Sequence, residues 1–255
     1  MDNRAIGLYD SGLGGLSVWR AVKQRLPEES LLYLGDGANC PYGLRSKAEI
    51  RELAKSAVEE LLSRGCKMIV VACNTATIAA IEMLRSQYPE VPFVGIEPAV
   101  KPACLNTKSG VVGVLATECS LRGDMFQNTA AKYSDNIRVI AKFGRGFVEL
   151  VEENKEHTPE AQQIVREVVE EFVESGVDQI VLGCTHYPFL SDTIAKVAPN
   201  ANIIDPSPAV AKQVERVLMQ NNMKAEEEHS AQYEFITFAD AAYQERLCKK
   251  AEGEF

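Results

Sequence analysis

The sequence predicts an α/β protein of two similar domains, each a mainly parallel sheet flanked by helices, the two related by a pseudo-twofold axis. Three observations carry that expectation. Short apolar runs alternate with helical stretches along the 255-residue chain, the pattern of parallel strands joined by right-handed crossovers. The stretches Ile69–Val100 and Ile180–Val210 are near-copies. In each, an apolar run ends at a cysteine (Cys73, Cys184) followed by Asn-Thr or Thr-His. A helical stretch, a Pro-flanked connection, a second apolar run and an acid-proline pair (Glu97-Pro98, Asp205-Pro206) come after. Finally, Asp10, Asp36, Cys73, Thr117 and Cys184 all fall at predicted strand ends, where open parallel sheets hold their ligands. The duplication implies two halves facing each other with one thiol from each, and a site in the cleft between the domains. Two opposed thiols are what chemistry on both faces of one carbon needs.

The elements follow in order. Ala5–Tyr9 is an apolar run that stops at Asp10-Ser11-Gly12 and meets the glycine turn Gly14-Gly15; helical periodicity then runs from Leu16 to Leu26. Leu31–Leu34 is a second run, followed by a loop from Gly37 to Gly43 that contains Pro41-Tyr42-Gly43. Ala48–Arg64 reads as an amphipathic helix with Ile50, Leu53, Ala57 and Leu61 on one face. The first cysteine unit closes this half. Gly110–Leu115 and Ile137–Ala141 resemble strands, and Thr158–Ser175 a long helix with Thr158 as N-cap and Pro159 at the first helical position. After the second cysteine unit come a helix from Ala209, a strand at Tyr233–Phe238 and a terminal helix. That tail is expected to pack back on the first half, giving domains 1–98 plus 207–255 and 99–206.

Composition excludes several classes. With 46% apolar and 25% charged residues the chain is globular, and its net charge of −9 argues against general nucleic-acid binding. No charged leader precedes an apolar stretch, and no apolar run approaches the length of a membrane span, about 18 residues. The expectation is a cytoplasmic protein. Seven cysteines (Cys40, Cys66, Cys73, Cys104, Cys119, Cys184, Cys248) lack CxxC spacing and read as free thiols in a reducing compartment; three histidines argue against a zinc site.

A cysteine that ends a strand and opens a helix feels the positive end of the helix dipole, which draws its pKa from about 8.5 toward neutrality. Such a thiolate serves as base or nucleophile. Taken singly, either cysteine reads as a small buried hydrophobe; the repeat, with polar residues after both, tips the balance to function. Asp10 either takes a proton from a substrate ammonium, or tunes a thiol, or makes an Asx turn. Gly12, Gly14 and Gly15 offer exposed backbone N–H groups for a carboxylate, without forming a GxGxxG dinucleotide motif. His186 shares a proton with a substrate or thiol, or stabilises the turn closed by Pro188. Tyr42 lines the mouth or is structural. For Glu152, in Phe147–Glu153, a solvated helix face is the stronger local reading.

The phrases Asp10–Ser17 (DSGLGGLS), Gly35-Asp36, Pro41-Tyr42-Gly43, Ala72–Ala76 (ACNTA) and Gly183–Pro188 (GCTHYP) resemble the ordered motifs of the bacterial glutamate racemases, over about Ile6 to Asp205. Aspartate racemases share the paired cysteines but lack the opening phrase. The resemblance implies a cofactor-independent, metal-free racemase acting on a small molecule, L- or D-glutamate, and supplying D-glutamate to peptidoglycan. It implies Cys73 and Cys184 as the acid–base pair, Cys73 acting on the D form and Cys184 on the L form. Asp10, Ser11, Tyr42, Gly43, Asn74, Thr75, Thr117, Thr185 and His186 would hold substrate, and Asp10, Glu152 and His186 would assist proton transfer. Family members are often homodimers. Because the first strand lies within a few residues of Met1, activation by a wall precursor is not expected. The chain departs from the family at Val114, where a threonine is usual, so that a hydroxyl is expected to be missing near the substrate. It departs again at Phe238-Ala239-Asp240, where Ser-Gly-Asp is usual. A rival class, a non-catalytic two-lobed binding protein, would explain the repeat without needing both cysteines.

Overall fold

The structure, a computed structural model, describes residues 1–122 and 137–253. Along the first third lie β1 (Ile6–Asp10), α1 (Leu16–Arg25), β2 (Leu31–Gly35), α2 (Lys47–Ser63), β3 (Met68–Val71), α3 (Asn74–Gln87) and β4 (Phe93–Gly95). The middle carries α4 (Val100–Asn106), β5 (Val111–Ala116), α5 (Glu118–Arg122), β6 (Arg138–Phe143), α6 (Phe147–Glu152), α7 (Pro159–Glu174), β7 (Gln179–Gly183), α8 (Ser191–Val197) and β8 (Asn202–Ile204). The chain finishes with α9 (Ser207–Gln220), β9 (Tyr233–Thr237) and α10 (Ala241–Glu252). Two compact units result: Met1–Ile96 with the chain from Ser207 onward, and Glu97–Pro206.

In the first unit the strands run in the order β4-β3-β1-β2-β9, and every pairing is parallel. In the second the order is β6-β5-β7-β8, again parallel throughout. Read from the other edge, β8-β7-β5-β6 repeats β4-β3-β1-β2, so the repeat seen around the cysteines extends to the whole sheet. The fifth strand, β9, is what the first unit adds. Strands β1, β2, β3 and β7 are buried along their whole length, which is why they read as continuous apolar runs rather than alternating ones.

Local signals place the helices. Ser46 and Glu49 form a reciprocal capping box that starts α2: Glu49 N–H donates to Ser46 Oγ at 3.3 Å, and Ser46 N–H to Glu49 Oε2 at 2.9 Å. Ile50, Ala54, Ala57, Val58 and Leu61 form its buried face, while Leu53 is only half-buried. Thr158 caps α7 by accepting from Ala161 N–H at 3.2 Å, with Pro159 at the first position. One expectation fails. The chain after Cys73 enters α3 directly, but after Cys184 it makes a bend and a 3-10 turn, Tyr187–Leu190, before α8 begins. Pro188 is the physical reason: it has no N–H to give Cys184 O, which accepts from Tyr187 N–H at 3.1 Å instead, so the α-helical ladder does not start at that cysteine.

Candidate active site

In the first unit the polar strand ends converge. Asp10 ends β1 and is fully buried; its Oδ1 accepts from Gly12 N–H at 2.9 Å, and its backbone oxygen accepts from Asp36 N–H at 2.9 Å. The Asx-type contact is therefore made, and the Gly12 N–H expected to be exposed is committed to Asp10 instead. The glycine turn is pressed from beneath: a Cβ on Gly15 would stand 2.5 Å from Asp10 Cβ and 2.7 Å from the Tyr33 hydroxyl. Tyr33 also donates to Gly12 O at 2.6 Å.

Cys73 is the N-cap residue of α3 and 5% exposed. Its Sγ accepts from Ala76 N–H at 3.4 Å and lies 3.6 Å from Ser11 Oγ. An N–H donor at a helix N-terminus favours the anionic form of the sulfur. Asn74 and Thr75 follow, both buried. The Asn74 carboxamide has no hydrogen-bond partner at either its oxygen or its nitrogen among the described residues. A buried amide in that condition costs free energy unless something else fills its bonds.

Tyr42 is buried rather than lining a mouth. Its hydroxyl donates to Asp36 Oδ2 at 2.6 Å and receives the Tyr9 hydroxyl at 2.9 Å. Because the Asp36 carboxylate takes the Tyr42 proton, the Tyr9 proton must point to Tyr42. Burial pushes the Tyr9 phenol far above its ordinary value, and the neighbouring Cys73 charge adds to the effect. Burial does the same for Tyr42. Gly43 follows in the same 3-10 turn, Tyr42–Leu44. The Asp36 and Tyr9 partnerships were not visible in the sequence beyond the position of Asp36 at a strand end.

In the second unit Cys184 follows β7 and is 6% exposed. Its Sγ lies 3.7 Å from His186 Nδ1, and His186 Nε2 lies 2.7 Å from Glu152 Oε1. With a carboxylate on Nε2, that nitrogen carries the ring proton and Nδ1 faces the sulfur. This is a carboxylate–imidazole–thiol chain. Glu152, whose side chain is 15% exposed, thus leaves the solvated face that local reading favoured. Thr185 is buried beside them. Thr117, after β5, donates to Ser120 Oγ at 2.9 Å and accepts from Ser120 N–H at 3.3 Å. Tyr187, a residue sequence reasoning passed over, is fully buried and packs edge-on against Phe147 at 5.1 Å. Burial and the Cys184 charge push its phenol well up. Val114 does not face these groups: it is fully buried in an apolar cluster with Val112, Ala116, Val100 and Val181. The hydroxyl lost there is lost from the core.

The profile of the Asp/Glu/hydantoin racemase family matches residues 16–214. A glutamate racemase from Roseiflexus sp. is 45% identical over 221 residues, covering 86% of this chain and 81% of the relative. One from Herpetosiphon aurantiacus is 42% identical over 244 residues, covering 95% and 96%. The crystal structure of glutamate racemase from Francisella tularensis in complex with D-glutamate matches with a TM-score of 0.82 at 28% identity, over 98% of this chain and 94% of that one. The fold and these relatives define an isomerase that racemises an amino acid. The chain belongs to the Asp/Glu/hydantoin racemase family, within its glutamate racemase group. Among the described residues no helix is long and apolar enough to cross a membrane.

Proposed function

We propose that Cys73 and Cys184 interconvert L- and D-glutamate as two bases acting on opposite faces of one α-carbon, without a cofactor, in the cytoplasm and in service of peptidoglycan synthesis. One observation supports this above the others. Each cysteine that ends a strand is buried against groups suited to a proton-handling sulfur: Ser11 and the Ala76 N–H for Cys73, His186 with Glu152 for Cys184.

One sulfur starts as thiolate and takes the α-proton, leaving the electron pair on the α-carbon. The opposite thiol then gives its proton to the other face of that carbanion. The proton inventory of the pair is unchanged, but thiol and thiolate have exchanged places, so each cysteine is base for one enantiomer and acid for the other. Cys73 takes the proton of D-glutamate and Cys184 that of L-glutamate. His186, oriented by Glu152, relays the Cys184 proton; Asp10 stands ready for the substrate ammonium. A carbanion beside a carboxylate, with no electron sink, needs preorganised donors and exclusion of water. Ser11, Asn74, Thr75, Thr117, Thr185 and the Tyr42-Gly43 turn are the proposed donors, and the unfilled amide of Asn74 supports substrate contact there. A homodimer is the assembly the family resemblance favours.

The test is α-proton exchange in heavy water. Cys73→Ser is expected to stop exchange from D-glutamate while sparing that from L-glutamate, and Cys184→Ser the reverse. Wild-type racemisation by both variants would end the two-thiol reading.

A further inference from the structure

The loop 36–43 between β2 and α2 carries Asp36, Tyr42 and Gly43. From its own side it is fastened by Asp36 N–H to Asp10 O at 2.9 Å, by Gly37 N–H to Gly35 O at 2.9 Å, and by the Asp36 carboxylate, which accepts from Tyr42 and from the Asn39 amide at 3.0 Å. The Tyr9 hydroxyl reaches Tyr42 at 2.9 Å and Arg45 Nε donates to Asn39 O at 2.8 Å. A further contact comes from the chain's return more than 200 residues later.

A Cβ on Gly37 would lie 2.2, 2.4 and 2.5 Å from Cζ, Cε2 and Cε1 of Tyr243. Gly37 is not among the positive-φ glycines, so the ring's approach, not the backbone conformation, is what demands glycine there. Tyr243 is only 5% exposed, and the Arg246 guanidinium carbon stands 5.2 Å from its ring centroid. The ring is also held in place from its own side. Tyr243 is the third residue of α10, and its N–H donates to the N-cap Asp240 Oδ1 at 2.8 Å. Gln244 Nε2 donates to Phe235 O at 2.6 Å, which pins α10 to β9, and Thr237 Oγ1 donates to Gly35 O at 2.6 Å, which pins β9 to the root of the loop. A rigid aromatic face is thus set against Gly37, a loop residue with no side chain to hold it off.

We infer that Tyr243 is a positioning residue for substrate binding: through Gly37 its ring fixes where Asp36 and the Tyr42-Gly43 turn stand. The inference rests on the reading in which Tyr42 and Gly43 hold glutamate. Neither Tyr243 nor Gly37 is among the groups proposed to meet the substrate.

The experiment compares wild type with Tyr243→Phe, Tyr243→Ala, Gly37→Ala and the double variant Gly37→Ala/Tyr243→Ala, with KM and kcat measured for both enantiomers beside melting temperature. Tyr243→Phe keeps the ring and should keep KM. Tyr243→Ala should raise KM for both enantiomers about tenfold, with kcat changed far less, because a small misplacement of binding groups weakens substrate holding. Gly37→Ala should do the same by driving the loop off the ring. In the double variant the new Cβ enters the space the ring has left, so KM should partly recover relative to Gly37→Ala alone. A merely structural role would lower the melting temperature and leave KM unmoved. Unchanged KM in both single variants, or no recovery in the double, overturns the inference while wild-type racemisation keeps the underlying reading intact. If wild type fails to racemise glutamate, the underlying reading falls and takes this one with it. Should Tyr243→Ala not fold, Tyr243→Leu and Gly37→Ala still decide the point.

Discussion

Asn74 shows how a single side chain can be costly to the fold. Its carboxamide is 1% exposed, and both polar atoms lack partners among the described residues. Replacing a buried group that lacks partners removes an existing penalty rather than a bond, so Asn74→Ala should hold or raise stability, by up to about 1–2 kcal/mol. The same change should raise KM for glutamate severalfold. Urea unfolding and steady-state kinetics on one preparation check both; a clear loss of stability would show that the amide is already satisfied. At this scale the sequence was legible where residues repeat and silent where partners are distant. The strand-end position of Cys73 and Cys184 is stated by their duplicated surroundings. Glu152 is not: its partner His186 lies 34 residues away, and an acid on a short helix looks the same whether it meets water or an imidazole. Val114 is the opposite case, because a strand residue three places before Thr117 reads as near the site while its side chain turns into the apolar core.

Among elements, the start of β7 is secured by one acid. Asp178 accepts from Thr107 Oγ1 at 2.6 Å, Lys108 N–H at 2.6 Å and Ser109 N–H at 3.0 Å, tying the turn between α4 and β5 to the neighbouring strand. Burial works against its charge, but those donors prevail and hold its carboxyl below the ordinary 3.8. A carboxyl lowered on folding contributes stability that is full above its unfolded value and is lost as pH falls through its folded value. Asp178→Ala should therefore destabilise the protein at neutral pH, and the gap to wild type should close as pH drops below 3.8. Denaturant midpoints across that range check it; a gap constant with pH would assign the effect to packing. Strands and long helices were legible because apolar runs and caps are local facts: Thr158 and Pro159 start α7 where expected. The turn after Cys184 was not, since similarity to the Cys73 unit suggested a helix and Pro188 refused it.

For the molecule as a whole, the parallel α/β class and the repeat could be read from alternation alone, because each strand and its crossover leave a local trace. The addition of β9 beyond β2 could only be guessed, since nothing within Tyr233–Thr237 names the strand it will pair with. The first unit is stitched across its chain distance by a buried ion pair. Lys67 Nζ meets Glu29 Oε2 at 2.5 Å and also donates to Asp2 O at 2.5 Å, while Glu29 Oε1 accepts from Ala225 N–H at 2.8 Å. Both side chains are almost completely buried. Lys67→Met strands the carboxylate and should cost about 3–5 kcal/mol, whereas the joint change Lys67→Met with Glu29→Leu should cost clearly less. Equal losses from the single and joint variants would show that charge pairing is not what matters there.

The discontinuous first unit also sets a calendar for biosynthesis. As the polypeptide leaves the ribosome at about 5–20 residues per second, Glu97–Pro206 is complete before β9 and α10 have been translated. Until then β2 presents an unpaired row of backbone N–H and C=O groups where Tyr233–Thr237 will later dock. An unprotected edge of that kind is a template for pairing with another nascent chain. The segment that covers it arrives last, so interrupted translation should leave a sticky fragment instead of a half-built enzyme.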